Sequence, residues 1–168
     1  MTIINTNARS LSPKIDSLLV CLTELKSSIA VVSETWLKDC PELEKDVEDL
    51  EEGSGYTMLY KNREPNDRGF SHGGIAILSR LSVCKFSAIK MPNPDSFEVL
   101  PAVGTVKGPS RKLIVVAAYI PPNYNVPRAK KCLDYITDLV IMIKNKYRDP
   151  FIVVAGDFNQ WAVDQAFY

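Results

Sequence analysis

The residues best suited to phosphate chemistry stand at the ends of apolar runs. Gly156-Asp157-Phe158-Asn159 follows the run Phe151 to Ala155, so a carboxylate and an amide two positions apart lie where a buried strand leaves its sheet. Such a pair can hold a water against a phosphate. Glu34 follows Ile29 to Ser33, Tyr119 lies near the end of Leu113 to Ile120, and Asn7 follows the apolar start Ile3-Ile4. In α/β proteins, sites gather at the carboxyl ends of strands, where loops converge. If these strands are neighbours running the same way, Asn7, Glu34, Tyr119 and Asp157 share one pocket. Magnesium needs few carboxylates, because it keeps several waters and is often held by one or two of them plus substrate phosphate oxygens. The inventory therefore suits Mg²⁺-assisted phosphodiester chemistry, with Mn²⁺ as the alternative ion, better than a zinc or calcium cage.

Each residue also has a plainer structural reading. Asp157 and Asn159 suit an Asx turn after a strand, the commoner fate of such a pair. Glu34 with Thr35 could cap a following turn, Asn7 could be a turn residue, and Tyr119 could be a core aromatic whose hydroxyl reaches water. Taken singly, the plain reading is favoured for each; the repeated placement at strand ends tips the balance modestly toward chemistry. His72, the only histidine, stands between Ser71 and Gly73, where a solvated loop residue is the default. Gly73-Gly74 reads as strand entry rather than a phosphate cradle. Lys61, Arg63, Arg68 and Arg80 surround that loop and could meet phosphates, although scattered surface charge is the default.

The elements that must position these groups are legible as periodicity. Ile3-Ile4 reads as a short opening strand. Ser12 as N-cap and Pro13 in the first turn open a helix over Ser12 to Ser27, with Ile15, Leu18, Leu19, Leu22 and Leu25 at helical spacing. Ile29 to Ser33 is a buried strand. The acidic stretch Pro41 to Glu52 reads as a surface helix, with Gly53 as its stop. Strands are expected over Tyr56 to Tyr60, Ile75 to Leu78, Val83 to Phe86, Phe97 to Val106 and Leu113 to Ile120, the last broken by Pro121-Pro122. Pro127 opens a second helix with Leu133, Ile136, Val140, Ile143 and Tyr147 on one face. Phe151 to Ala155 is the final strand. The order is βαβ, then consecutive strands, then helix and strand, which fits packed sheets with helices outside rather than an alternating doubly wound sheet.

Bulk properties bound the rest. A chain of 168 residues, 46% hydrophobic, is long enough for one domain that buries roughly 70% of its unfolded surface. Cys21, Cys40, Cys84 and Cys132 form no C-x-x-C pair, which argues against zinc and suits reduced thiols in cytosol or nucleus. No apolar run reaches membrane-spanning length and no secretory signal opens the chain, so neither a membrane nor secretion is expected. A formal net charge of zero weakens bulk attraction to nucleic acid without excluding a local basic rim.

Five segments then match one family in order: Asn7-Ala8-Arg9-Ser10-Leu11, Ser33-Glu34-Thr35-Trp36-Leu37, Gly73-Gly74-Ile75-Ala76-Ile77-Leu78, Tyr119-Ile120-Pro121-Pro122 and Gly156-Asp157-Phe158-Asn159. On these the chain resembles the endonuclease domain of non-LTR retrotransposons, a branch of the endonuclease/exonuclease/phosphatase superfamily. The resemblance implies an α/β fold, a four-layer sandwich of two mixed sheets flanked by helices. It implies a Mg²⁺-dependent phosphodiesterase that nicks DNA and leaves a 3′-hydroxyl for a reverse transcriptase to extend; a reverse transcriptase domain of the same polyprotein is a candidate partner. Glu34 matches the metal-binding glutamate and Asn7 the asparagine beside metal and phosphate. Tyr119 matches the tyrosine that approaches the phosphate. Asp157 matches the aspartate that orients or deprotonates water, and Asn159 the asparagine that helps place it. Arg9, Arg63, Arg68 and His72 are candidate contacts to DNA. The family's C-terminal Ser-Asp-His motif has no match here, so the sequence reads as a domain lacking its C-terminal strands and of weak or no activity. Two other readings stand beside this one: a phosphodiesterase or phosphatase for a small phosphorylated substrate, and a non-catalytic remnant.

Overall fold

The computed structural model describes residues 1–37, 50, 53–63, 72–93, 95–106 and 111–159. The elements bounded there, besides the helical residues 50, 53 and 54, are β1 (Ile3–Asn7), α1 (Ile15–Glu24), β2 (Ile29–Ser33), β3 (Tyr56–Lys61), β4 (Ile75–Arg80), β5 (Phe86–Ala88), β6 (Glu98–Thr105), β7 (Lys112–Tyr119), α2 (Val126–Lys146) and β8 (Phe151–Asp157). The strands form two mixed sheets, ordered β1-β2-β4-β3 and β5-β6-β7-β8. Each sheet has one parallel pair joined by a helical crossover: β1 and β2 through α1, β7 and β8 through α2. All other strand pairs are antiparallel.

The central strands are apolar on both faces because both faces are covered. In β2, Ile29 and Val31 face the other sheet, and Ala30 and Val32 face α1. In β7, Leu113, Val115, Ala117 and Tyr119 enter the inter-sheet core, while Ile114, Val116 and Ala118 meet α2. The layers run α1, first sheet, second sheet, α2. The parallel pairs lie against each other, β1 and β2 touching β8, and β2 touching β7. That arrangement brings the carboxyl ends of β1, β2, β7 and β8 to one end of the sandwich.

Several sequence expectations change. The first helix does not open on a Ser12 cap: Ser12–Lys14 is a 3₁₀ turn preceded by Leu11, without a side-chain cap. The helix ends at Glu24, where Leu25 N–H and Lys26 N–H bond to the Cys21 and Thr23 carbonyls and Lys26 turns to φ 51°. No strand begins at Val83. Leu81–Val83 is a tight turn in which Val83 and Cys84 N–H both bond to the Arg80 carbonyl. The buried stripe of α2 is Ala129, Cys132, Ile136, Leu139 and Ile143, while Leu133, Val140 and Tyr147 lie half-buried beside it. Asn125, whose side chain accepts from Arg128 N–H, caps this helix, and Pro127 occupies its first turn as expected. The stretch 41–52 falls outside the described residues except for Leu50, which is helical and buried; Gly53 and Ser54 are themselves helical, so Gly53 does not act as a helix stop.

Candidate active site

β1 ends at Asn7, and the chain beyond it stays beside the chain beyond β2. Ala8, Ser10 and Leu11 N–H bond to the carbonyls of Ser33, Glu34 and Thr35 at 2.9, 2.9 and 2.8 Å. Arg9, Ser10, Glu34 and Trp36 all hold positive φ, at 45°, 79°, 52° and 50°. Left-handed backbone in non-glycine residues costs of order 1 kcal/mol each, and strain of this kind persists where the surroundings over-determine it. Here the two loops brace each other, and Lys14 Nζ clamps the carbonyls of Ala8 and Arg9. Thr35 and Trp36 N–H are held in turn by the carbonyls of Gly74 (3.3 Å) and Gly73 (2.8 Å).

At the centre is the Asn7 amide. Its Nδ2 donates to Glu34 Oε1 and to Asp157 Oδ2, both at 2.8 Å. Its Oδ1 accepts from Arg9 N–H at 3.1 Å. The Tyr119 hydroxyl donates to the same Glu34 Oε1 at 2.9 Å. Strand ends from both sheets therefore meet on two carboxylates. The Tyr119 ring is 5% exposed. Burial first, and then its bond to Glu34, push the phenol well above its ordinary value of 10.0. It remains a donor at neutral pH.

The last strand is fitted closely to its neighbour. Tyr119 and Asp157 are Cα partners across β7 and β8. A Cβ on Gly156 would lie 1.7 Å from the Ala118 carbonyl oxygen, and its φ is 150°. Only glycine fits there. Asn5 Nδ2 donates to the Gly156 carbonyl at 2.9 Å, a tie between the outer strands of the two sheets. Asn159 N–H bonds to Asp157 Oδ1, and Asn159 Nδ2 to the Ile120 carbonyl, each at 2.9 Å. The Asx-turn reading of this pair is thus present alongside the site: one Asp157 oxygen shapes the turn and the other faces Asn7. Asn159 braces the ends of β7 and β8.

The remaining sequence candidates separate. Arg9 is exposed beside the cluster. Arg63 pairs with Glu98 and lies over the Tyr119 ring, 5.6 Å from its centroid. His72 stacks on Trp36 with centroids 4.6 Å apart. Arg68 is outside the described residues. Glu98, buried at 3% exposure, carries no signal in the sequence. A lone glutamate at the head of the apolar stretch Phe97 to Val106 looks like a solvent-facing strand residue, and only tertiary structure shows its partners.

As a cation site the donor set is sparse and hard. Among the described residues there is no group of three or more His, Cys, Asp or Glu side chains. Two carboxylates on an open rim suit an ion that keeps water and takes substrate oxygens. Asn7 faces the carboxylates through nitrogen, whereas an amide ligates through oxygen, so in this arrangement it organises Glu34 and Asp157.

Solved structures share this architecture. An AP endonuclease from Archaeoglobus fulgidus superposes with a TM-score of 0.59 at 19% identity, covering 94% of this chain and 57% of its own. Truncated Caenorhabditis elegans TDP2 gives 0.65 at 18%, covering 98% and 64%. D. rerio TDP2 complexed with a single-strand DNA product gives 0.63 at 20%, covering 98% and 62%. The chain thus spans less than two thirds of the length of each of these structures. No curated protein matches. The profile of the Endonuclease/Exonuclease/phosphatase family matches residues 4–168, so Asn7, Glu34, Tyr119, Asp157 and Asn159 all lie within the match, and the chain belongs to that family.

Proposed function

We propose that the chain is a divalent-cation-dependent phosphodiesterase that nicks DNA, the endonuclease of a non-LTR retrotransposon whose 3′-hydroxyl product primes a reverse transcriptase in the same polyprotein. The observation that carries the proposal is the Asn7 amide bonded to both Glu34 and Asp157, with Tyr119 on Glu34. The retroelement assignment rests on the Asn7-to-Leu11 and Ser33-to-Leu37 motifs. DNA as substrate is supported by structural neighbours solved with a single-strand DNA product and with a product DNA hairpin.

Glu34, beside the Asn7 amide, would hold Mg²⁺ or Mn²⁺. A bound ion of this kind supplies Lewis-acid polarisation of a phosphate oxygen and offsets charge on the leaving oxygen. The chain's own residues supply the rest. Asp157, with Oδ1 held in its turn and Oδ2 facing Asn7, would orient a water and accept its proton. Tyr119, kept protonated, donates toward Glu34 or a phosphate oxygen. Asn7 fixes the separation of the carboxylates, and Asn159 fixes the turn that aims Asp157.

A second reading, hydrolysis of a small phosphorylated molecule, draws on a cavity of about 430 Å³ lined by Lys61, Arg63, Glu98, Asn123, Tyr124 and Arg128. Another structural neighbour is a 2′,3′-cyclic phosphatase.

The test begins with metal binding, which does not require full turnover. A ligand that binds only the folded state stabilises it by about 2.7 kcal/mol at a hundred times its dissociation constant. Mg²⁺ is expected to raise the melting temperature of the wild type but not of Glu34→Ala. Weak Mg²⁺-dependent nicking of supercoiled plasmid should disappear in the same variant. A flat Mg²⁺ titration would overturn the reading in favour of a non-catalytic remnant. Hydrolysis of inositol phosphates in preference to plasmid would favour the second reading.

A further inference from the structure

We propose that Glu98 is a positioning residue for this site: together with Arg63 it locks the Gly73-Gly74 backbone that holds the Glu34 loop, and sets the cation over Tyr119. The inference rests on Glu34 being the metal-side carboxylate.

Glu98 opens β6 directly opposite Tyr119, its Cα partner in β7. A buried carboxylate must be paired and hydrogen-bonded to persist, and Glu98 is. Its Oε1 accepts from Arg63 Nε at 2.7 Å and from Arg63 Nη2, and its Oε2 accepts from Gly74 N–H at 2.5 Å. One branch then runs through the backbone. The Gly74 and Gly73 carbonyls hold Thr35 and Trp36 N–H, the residues immediately after Glu34. The fit is tight: a Cβ on Gly73 would stand 2.6 Å from both Arg63 Nε and Glu98 Oε2, and one on Gly74 would stand 2.5 Å from Thr35 Oγ1. The other branch runs through Arg63, which the pairing holds over the ring of Tyr119. Both branches converge on Glu34 Oε1, through its own loop and through the Tyr119 hydroxyl. The left-handed φ of Glu34 and Trp36 is the kind of conformation such bracing has to maintain.

The test uses Glu98→Gln, which keeps an acceptor for Gly74 N–H but weakens the grip on Arg63. The chain has two tryptophans, so in a Trp161→Phe background Trp36 reports alone on the clamped loop. Acrylamide quenching of Trp36 should rise, and the Mg²⁺ concentration for half-maximal stabilisation should rise about tenfold, as for other outer partners of metal ligands. Leu139→Ala, buried between α2 and the second sheet, supplies a control that destabilises without touching the clamp. It should move neither reading below its melting temperature. If Glu98→Gln does not fold, Glu98→Gln/Arg63→Met removes the stranded cation and gives the same readout. Wild-type quenching and Mg²⁺ midpoint in the Glu98 variants would overturn the proposal, as would equal changes in Leu139→Ala. Altered Trp36 quenching in a protein that binds no Mg²⁺ would leave the clamp standing and remove the metal-site reading instead.

Discussion

A primary amide offers two N–H groups and one carbonyl, and at Asn7 the described bonds use each of them. The two N–H groups go to Glu34 and Asp157, and the carbonyl goes to Arg9 N–H. No other side chain of this size can separate two carboxylates while accepting from its own turn. Aspartate is nearly isosteric but replaces both donors with acceptors, so three carboxylates would face one another. Losing hydrogen bonds to charged partners costs about 1.5–3 kcal/mol each, and like charge adds to that. Asn7→Asp is therefore expected to melt several degrees below wild type in EDTA, with each kcal/mol moving the midpoint by about 2–4 °C. Mg²⁺ should recover more of the deficit than it adds to the wild type, because a cation among the carboxylates screens the new charge. Calorimetric melts in EDTA and in Mg²⁺ measure this directly, and equal shifts in both proteins would show that no cation enters the cluster. The sequence made the residue types at this site visible, since Asn7, Glu34, Tyr119 and Asp157 each follow or end an apolar run. It did not show that Asn7 acts through nitrogen, or that Arg63, a candidate DNA contact, is committed to Glu98.

At the scale of elements, the site depends on β8 lying close against β7. The Gly156 contact with the Ala118 carbonyl leaves no room for a side chain. Gly156→Ala must push β8 away and drag Asp157 with it, a loss of about 3 kcal/mol or more given the left-handed φ and the backbone clash. Gly53 makes the contrast. It is helical, and a Cβ there meets nothing within 4 Å, so Gly53→Ala should be neutral or stabilising by up to about 1 kcal/mol. Urea melts of the two variants check the pair, and a Gly156→Ala protein as stable as wild type would mean that β8 is not seated as described. The strands and helices themselves were largely legible, because period-two and helical spacing reflect burial that the sandwich does impose. Strand ends outrun the apolar pattern: β1 continues to Asn7 and β8 to Asp157, since their last residues are polar or glycine and are held by ladder bonds from β2 and β7. The turn at Leu81–Val83 leaves no signal in the sequence because it contains neither glycine nor proline. The buried face of α2 lies to one side of the Leu133-to-Tyr147 stripe, sharing Ile136 and Ile143 with it, because Ala129 and Cys132, small residues that let the helix approach the sheet, carry little hydrophobic signal.

Across the whole molecule, the two parallel pairs place β1 and β8 as outer strands of their sheets among the described residues. The inner strands β2 and β7 are almost wholly buried, whereas β8 is only half-covered. Phe151 is 56% exposed and Val154 42% exposed on it. An outer strand with unpaired backbone groups and apolar side chains is a template for pairing with another chain. Charged residues on such a strand oppose that pairing, and lysine is the commonest device. Val154→Lys is therefore expected to lower concentration-dependent light scattering. It should change unfolding free energy by no more than about 0.5 kcal/mol, the usual range for a surface substitution. The Asn5 bond to the Gly156 carbonyl and the Asn7 bond to Asp157 lie farther along the strand, so Mg²⁺ stabilisation should be unaffected. Scattering against concentration for the wild type and the variant, with matched melts, decides the matter. Unchanged self-association would place the sticky surface elsewhere, and a large loss of stability would show that Val154 is packed rather than exposed.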